Sequence, residues 1–169
     1  MCPEAQSFAG IMVKGMTDMK DRTTEAGAAA GLSSEVEGMS LSIVIPAFNE
    51  EGAVRRTIED VRASMDPLGI PYEVIVIDDG SEDRTLEIAR ETGVVVDTNQ
   101  VNTGYGAALK RGIRHAQHEY VAILDADGTY PARYLPSMLA MCRNQDMVVG
   151  DRGTARKSVP LIRRPAKWI

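Results

Sequence analysis

Asp125 and Asp127 stand one residue apart in Val121-Ala-Ile-Leu-Asp-Ala-Asp-Gly-Thr-Tyr-Pro131. The apolar residues before them read as a buried strand, and Gly128 and Pro131 force a turn after them. Two hard oxygen ligands at the end of a strand suit Mg²⁺ or Mn²⁺, which in turn holds a diphosphate. Asp78 and Asp79 end a second apolar run and open Asp78-Asp-Gly-Ser-Glu-Asp83. Adjacent carboxylates repel unless solvated or paired with a ligand or cation. They also accept hydrogen bonds from a ribose hydroxyl or a base N–H. Two further stretches have chemical potential. Pro46-Ala-Phe-Asn-Glu50 follows the first apolar run, and Asn102-Thr-Gly-Tyr-Gly-Ala-Ala-Leu-Lys-Arg-Gly112 is a glycine-rich helix start carrying Lys110 and Arg111. Such a start offers backbone amides to a phosphate, although a loop with a helix cap also accounts for it, and it is not a Walker A sequence. Helix capping by itself accounts for Asn49 and Asp83.

These residues need a scaffold that gathers strand ends. The pattern predicts strands at Leu41–Pro46, Tyr72–Ile77, Val94–Val96, Tyr120–Leu124 and Met147–Val149. Between them it predicts helices over about 50–65, up to about 91, 106–118, and from Pro131 to about 143. Val54, Ile58, Val61 and Met65 recur at helical spacing, with Asn49 as the N-cap. Ser81 or Asp83 caps the next helix. In the third, Ala108, Gly112 or Ile113, and Ala116 face inward. Alternating strands and helices predict an α/β, doubly wound, mostly parallel sheet. Every polar motif then falls just after a strand, on the edge where open α/β sheets bind ligands.

The 169 residues fit one domain, and an apolar fraction of 44% with 25% charged residues is ordinary for a soluble protein. A net charge of −5 disfavours nucleic acid as a partner. Residues 1–39, rich in small and polar residues, read as a disordered leader, an extension upstream of a start at Met39. Residues 40–150 are the regular domain. Residues 151–169 form a basic tail, with Arg152, Arg156, Lys157, Arg163, Arg164 and Lys167 against Asp151 alone, interleaved with Leu161, Ile162, Trp168 and Ile169. That tail reads either as a solvated segment or as one that meets phosphate or a membrane surface. Cys2 and Cys142 lack metal-site spacing, which points to a reduced, cytoplasmic setting. His115 and His118 share a predicted helix face without a third ligand and read as exposed polars rather than zinc ligands. No apolar run is long enough to span a membrane, and no signal core precedes the domain.

Four motifs in order resemble the family-2 glycosyltransferases of GT-A (Rossmann-like) fold: Ser42–Glu50, Val76–Thr85, Asn102–Gly112 and Leu124–Gly128. Within that family the chain is most similar to the polyprenyl-phosphate sugar transferases of dolichyl-phosphate mannose synthase type, over about residues 40–169. The resemblance implies an inverting, metal-dependent transferase with a nucleotide-sugar donor, GDP-mannose or UDP-glucose, and a polyprenyl-phosphate acceptor. Pro46, Ala47, Asn49 and Glu50, together with Asp78 or Asp79, would hold base and ribose, with Ser81, Gly104, Lys110, Asp125 and Ala126 also on the donor side. Asp125 and Asp127 match the family's metal pair. Thr129 falls where relatives often place a glutamine that also ligates metal, and Tyr105 where many carry a basic residue. Asp127 and Arg163 would serve catalysis, with Arg152, Arg164 and Lys167 beside Arg163 on the acceptor phosphate and Trp168 at the membrane interface. The same resemblance implies a peripheral place on the cytoplasmic membrane face. It also implies a chain cut short on its C-terminal side, so that donor and metal binding are expected of it and full turnover is not. Two alternatives are a non-catalytic nucleotide-sugar-binding fragment and a phospho-receiver-like module, the latter because Val74-Ile-Val-Ile-Asp-Asp79 resembles a receiver's first strand and acidic pair.

Overall fold

The computed structural model describes residues 27–150. Strands β1 (Leu41–Ala47), β2 (Tyr72–Asp78), β3 (Val95–Thr98) and β4 (Tyr120–Ile123) alternate with helices. Helix α1 (Gly27–Glu35) precedes β1, and α2 (Val54–Met65), α3 (Thr85–Glu91), α4 (Tyr105–His115) and α5 (Leu135–Met141) follow. The four strands form one sheet in the order β3-β2-β1-β4, with every pairing parallel. The chain steps outward from β1 to β3, then crosses to β4 on the other side of β1. Between β1 and β4 lies the topological switch point, where this architecture leaves a crevice.

Side-chain alternation divides the core. Ile43, Ile45, Val74 and Val76 pack with Val54, Ile58, Val61 and Met65 of α2. Val44, Ile75 and Ile77 face the other way, onto Ala108 of α4. With both faces covered, β1 is buried along its whole length. Gly112 lets α4 approach the sheet, because a Cβ there would lie 2.3 Å from Val44 Cγ1.

Several expectations need correction. Residues 27–39 are not a disordered leader: α1 forms there, and Val36 and Met39 are buried in the core with Leu32 packed against it. Their spacing is helical, a signal outweighed by the small, polar composition around it. Helix α2 begins at Val54 rather than Glu50, and Asn49 sits in the left-handed region (φ 57°) instead of capping it. Helix α4 stops at His115, because the amides of Gln117 and His118 turn to Glu73 Oε1 and Ser42 Oγ. His115 and His118 therefore share no helix face. His115 Nε2 pairs with Asp97 Oδ2 at 2.7 Å. The predicted helix from Pro131 is broken into a 3₁₀ turn at Ala132–Tyr134, then α5, then a 3₁₀ turn at Cys142–Asn144. Pro136 is the reason, since it is tolerated only in a helix's first turn. No strand forms at Met147–Val149, where Val148 buries its side chain without joining the sheet. Among the described residues no helix is long and apolar enough to cross a membrane.

Candidate active site

Register aligns the strand ends. Ala47 pairs with Asp78, Asp78 with Thr98, and Val44 with Ile123. The loops after all four strands therefore emerge along one edge of the sheet.

The first two loops are sewn together. The Asn49 amide donates to Ser81 Oγ at 2.9 Å, and the Glu82 amide donates to Asn49 Oδ1 at 2.9 Å. Next to them, the Glu50 amide reaches Thr85 Oγ1 (2.7 Å), the Glu51 amide reaches Asp83 Oδ2 (3.1 Å), and the Arg84 amide returns to Glu51 Oε2 (3.1 Å). Asp83 also accepts the Thr85 amide at 2.9 Å, although Arg84, not Asp83, holds the N-cap position of α3 and no side chain caps it. Ser81 does not cap that helix, because its hydroxyl accepts the Asn49 amide.

Asp79 is 4% exposed and serves the third loop. Its Oδ1 accepts from Asn99 Nδ2 (2.6 Å), Thr103 Oγ1 (2.7 Å) and the Thr103 amide (3.0 Å), and its Oδ2 accepts from the Gly104 amide (2.7 Å). Burial pushes the Asp79 carboxyl upward, but these donors outweigh it and hold the group below the ordinary aspartate value. The glycine-rich stretch does form an anion cradle, and the anion that Thr103 and Gly104 hold is Asp79. A buried carboxylate must be hydrogen-bonded, and the nearest amides meet that need. Gly80 permits the close approach: it has φ +76°, and a Cβ there would lie 2.7 Å from the Val101 carbonyl carbon. Neighbouring Asp78 is 1% exposed. Its Oδ2 accepts from Thr98 Oγ1 at 2.9 Å and the Ser81 amide at 3.4 Å. Among the described residues its Oδ1 is the one buried side-chain oxygen or nitrogen without a hydrogen-bond partner.

The β4 end is built differently. Asp125 is 7% exposed, and the Tyr105 hydroxyl donates to its Oδ1 at 3.0 Å. Thr57 Oγ1 of α2 donates to the Ala126 carbonyl at 2.9 Å, pinning the turn from below. Asp127 is exposed, and its Oδ1 accepts the Thr129 amide at 2.8 Å across Gly128 (φ 70°). Burial raises the Glu50 carboxyl, and the charges of Asp127, Asp83 and Asp125 raise it further. Burial, followed by the charge of Asp125, also pushes the Tyr105 phenol up. Burial leads both shifts, and nearby aspartates add to each, with Asp125 and Asp127 common to the two.

The structure thus gathers Glu50, Asp83, Asp125 and Asp127 into one electrostatic group. Pro46 and Ala47 are buried in β1, and Ala126 is buried beside it. Asn49 and Ser81 sew loops, and Asp79 and Gly104 form the latch. Lys110 stays apart: Ala108 and Gly112 face the sheet, whereas Lys110, two residues from each, is exposed on the outer side of α4. Arg163, with Arg152, Arg164, Lys167 and Trp168, lies outside the described residues. The sequence reading missed the roles of Thr57, Asn99 and Thr103. Only Tyr105 carried a signal, since a partly buried phenol needs a hydrogen-bond partner.

The donor set can be weighed against a divalent cation. No group of three or more His, Cys, Asp or Glu side chains that could hold a metal occurs among the described residues. A hard cation there would have two protein carboxylates to draw on, Asp125 and Asp127, and would need phosphate and water oxygens to complete its shell, as Mg²⁺ commonly does. The neighbouring negative charges favour such a cation.

The sequence profile described as glycosyl transferase family 2 matches residues 42–168. The chain belongs to this family. Its relatives include the low-salt glycan biosynthesis hexosyltransferase Agl6 of Haloferax volcanii, 40% identical over 115 residues, covering 67% of this chain and 27% of the relative. The dodecaprenyl-phosphate galacturonate synthase of Rhizobium johnstonii is 34% identical, covering 82% of this chain and 43% of that one. The dolichyl-phosphate hexose transferase of Haloferax volcanii is 36% identical, covering 73% and 53%. The chain therefore spans roughly a quarter to a half of these family members' own lengths. Among solved structures it resembles glucosyl-3-phosphoglycerate synthase of Mycobacterium tuberculosis, crystallised with Mn²⁺, UDP and glucosyl-3-phosphoglycerate. That match has a TM-score of 0.58 and 26% identity, over 73% of this chain and 45% of the other. Family membership and the parallel sheet establish the GT-A, Rossmann-like class expected from the motifs. They also dispose of the receiver reading.

Proposed function

We propose that residues 40–150 hold the nucleotide-sugar donor of an inverting sugar transfer to a polyprenyl phosphate. One observation carries the reading: two carboxylates just after β4, Asp125 buried and Asp127 exposed, stand at the switch-point end of the parallel sheet, within electrostatic reach of Glu50. A diphosphate does not approach these carboxylates alone. With Mg²⁺ or Mn²⁺ on Asp125 and Asp127, and Thr129 beside them, the cation would neutralise the charge that develops on the diphosphate as the anomeric C–O bond breaks.

The chain's own residues do the rest. Asp78, with its unpartnered buried oxygen, and the sewn Asn49–Ser81 loops form the floor for ribose and base. Ala126, tied by Thr57, keeps the aspartate turn against α2. A phosphate monoester is already largely ionised at neutral pH, so an acceptor of that kind needs no general base to attack the anomeric carbon. The relatives named for prenyl-phosphate acceptors support that acceptor class. Arg163, with Arg152, Arg164 and Lys167, would orient its phosphate, and Trp168 would meet a membrane surface where the protein associates peripherally.

Titration calorimetry of the 169-residue chain with GDP-mannose and with UDP-glucose, each with Mn²⁺ and with chelator, tests this reading. Binding of one donor that chelator abolishes is the expected result. Absence of binding to both overturns it.

A further inference from the structure

The Asp125 carboxylate receives a hydrogen bond from the start of the helix that precedes β4. Tyr105 is the first residue of α4, and its hydroxyl donates to Asp125 Oδ1 at 3.0 Å. Its backbone seat is tied to β2, not to β4. The Gly104 amide just before it donates to Asp79 Oδ2 at 2.7 Å, and Thr103 gives Asp79 both its amide and its hydroxyl. Behind it, Ala108 and Gly112 bury α4 against β1 and β2. The phenol therefore leaves a rigid platform on one side of the switch point and reaches across to the other.

A carboxylate plane is set by a soft torsion with broad minima, and a donor on one oxygen, carried by a ring seated on a packed helix, narrows its orientation. Preset ligand orientation is what a metal site gains from groups behind its ligands, and loss of such a group costs metal affinity rather than the fold.

We propose that Tyr105 is a positioning residue: its hydroxyl, seated by the Asp79 latch, holds the Asp125 carboxylate in the one orientation that receives a divalent cation carrying a nucleoside diphosphate. The proposal rests on the donor-site reading above. It makes α4 part of the site through a single hydroxyl and gives the buried Asp79 a remote role in donor binding.

The test counts free Mn²⁺ by electron paramagnetic resonance during titration of the full chain in saturating GDP or UDP, whichever the wild type binds. Tyr105→Phe keeps the ring and removes the donor, and Tyr105→Ala removes both. Positioning through the hydroxyl predicts that both variants weaken Mn²⁺ binding alike, by roughly tenfold or more. A ring that only packs predicts that Tyr105→Phe binds like the wild type while Tyr105→Ala does not, and that result overturns the proposal. Should Tyr105→Phe fail to fold by circular dichroism, Thr103→Val carries the test, because it loosens the seat at an exposed residue. Mn²⁺ binding about threefold weaker is then expected, and unchanged binding overturns the proposal. Wild-type protein that binds no Mn²⁺ with either nucleotide sinks the donor-site reading and this inference with it. Wild-type binding that survives intact in Tyr105→Phe sinks this inference alone.

Discussion

The two acidic pairs of this domain look alike as residues and have opposite fates. Asp78 and Asp79 end β2 and are almost wholly buried, with Asp79 turned toward its own loop by four donated hydrogen bonds. Asp125 and Asp127 follow β4, where one carboxylate takes a phenol and the other stands in the open with a single backbone amide. The difference follows from the sheet. β2 is an inner strand between β1 and β3, so a long loop folds back over its end. β4 lies on the other side of β1, at the switch point, where α4 reaches Asp125 through the Tyr105 hydroxyl and Asp127 stays exposed. Acidic residues at strand ends are thus not equivalent evidence for a ligand: where the chain folds back, it supplies the partners itself.

This contrast can be broken most directly at Asp79. Asp79→Ala should cost about 3 kcal/mol of folding stability, because it strands the amides and hydroxyl that the carboxylate holds. Urea denaturation measures this, and a loss below about 1 kcal/mol would mean that the latch is incidental. Asp127→Asn should do the reverse. Its exposed side chain predicts a change in stability within about 0.5 kcal/mol, together with metal-dependent nucleotide binding weakened roughly a hundredfold. Calorimetry beside the same denaturation series reads both, and equal losses of stability at Asp79 and Asp127 would erase the distinction.

Acid titration gives the smallest effect. Hydrogen bonds hold Asp79 below its ordinary value, and the Arg111 guanidinium beside Asp97 brings that carboxyl down to about 2. A folded pKa below the unfolded one contributes stability that is fully present above the unfolded value, near 3.9, and is lost as pH falls through the folded value. Stability should therefore decline between about pH 4 and pH 2. Asp79→Asn should flatten part of that slope. Thermal midpoints across that range decide the matter.

Much of the architecture was legible beforehand. Apolar runs followed by turn residues marked β1, β2 and β4, and the spacing of Val54, Ile58, Val61 and Met65 marked the buried face of α2. The parallel sheet with its polar motifs at the strand ends followed from strands alternating with helices, and the strand order did not. What stayed hidden was pairing between residues far apart in the chain. Nothing local in Asn102–Gly112 says that its amides are spent on Asp79, more than twenty residues earlier. Nothing in Asn49 says that it will sew a neighbouring loop instead of capping a helix. Helix α1 was obscured because its few apolar residues sit in a stretch of small and polar ones. The aspartates after β4 were readable because an apolar strand, a glycine and a proline mark their turn locally, although their partners Tyr105 and Thr57 lie elsewhere in the chain.

The Asp79 latch also bears on how motion is distributed in the domain. The segment from Asn99 to Gly104 has no regular secondary structure, yet the amides of Thr103 and Gly104 point at a buried charge rather than at water. Exchange of those hydrogens with solvent requires the β2–α4 unit to open as a whole, so an irregular loop should keep time with the core. The turn at Asp127–Thr129, solvent-facing and held by one amide, should exchange on its own faster clock. Two loops on the same edge of one sheet would then differ in lifetime: one is part of the frame, and the other is able to answer a ligand.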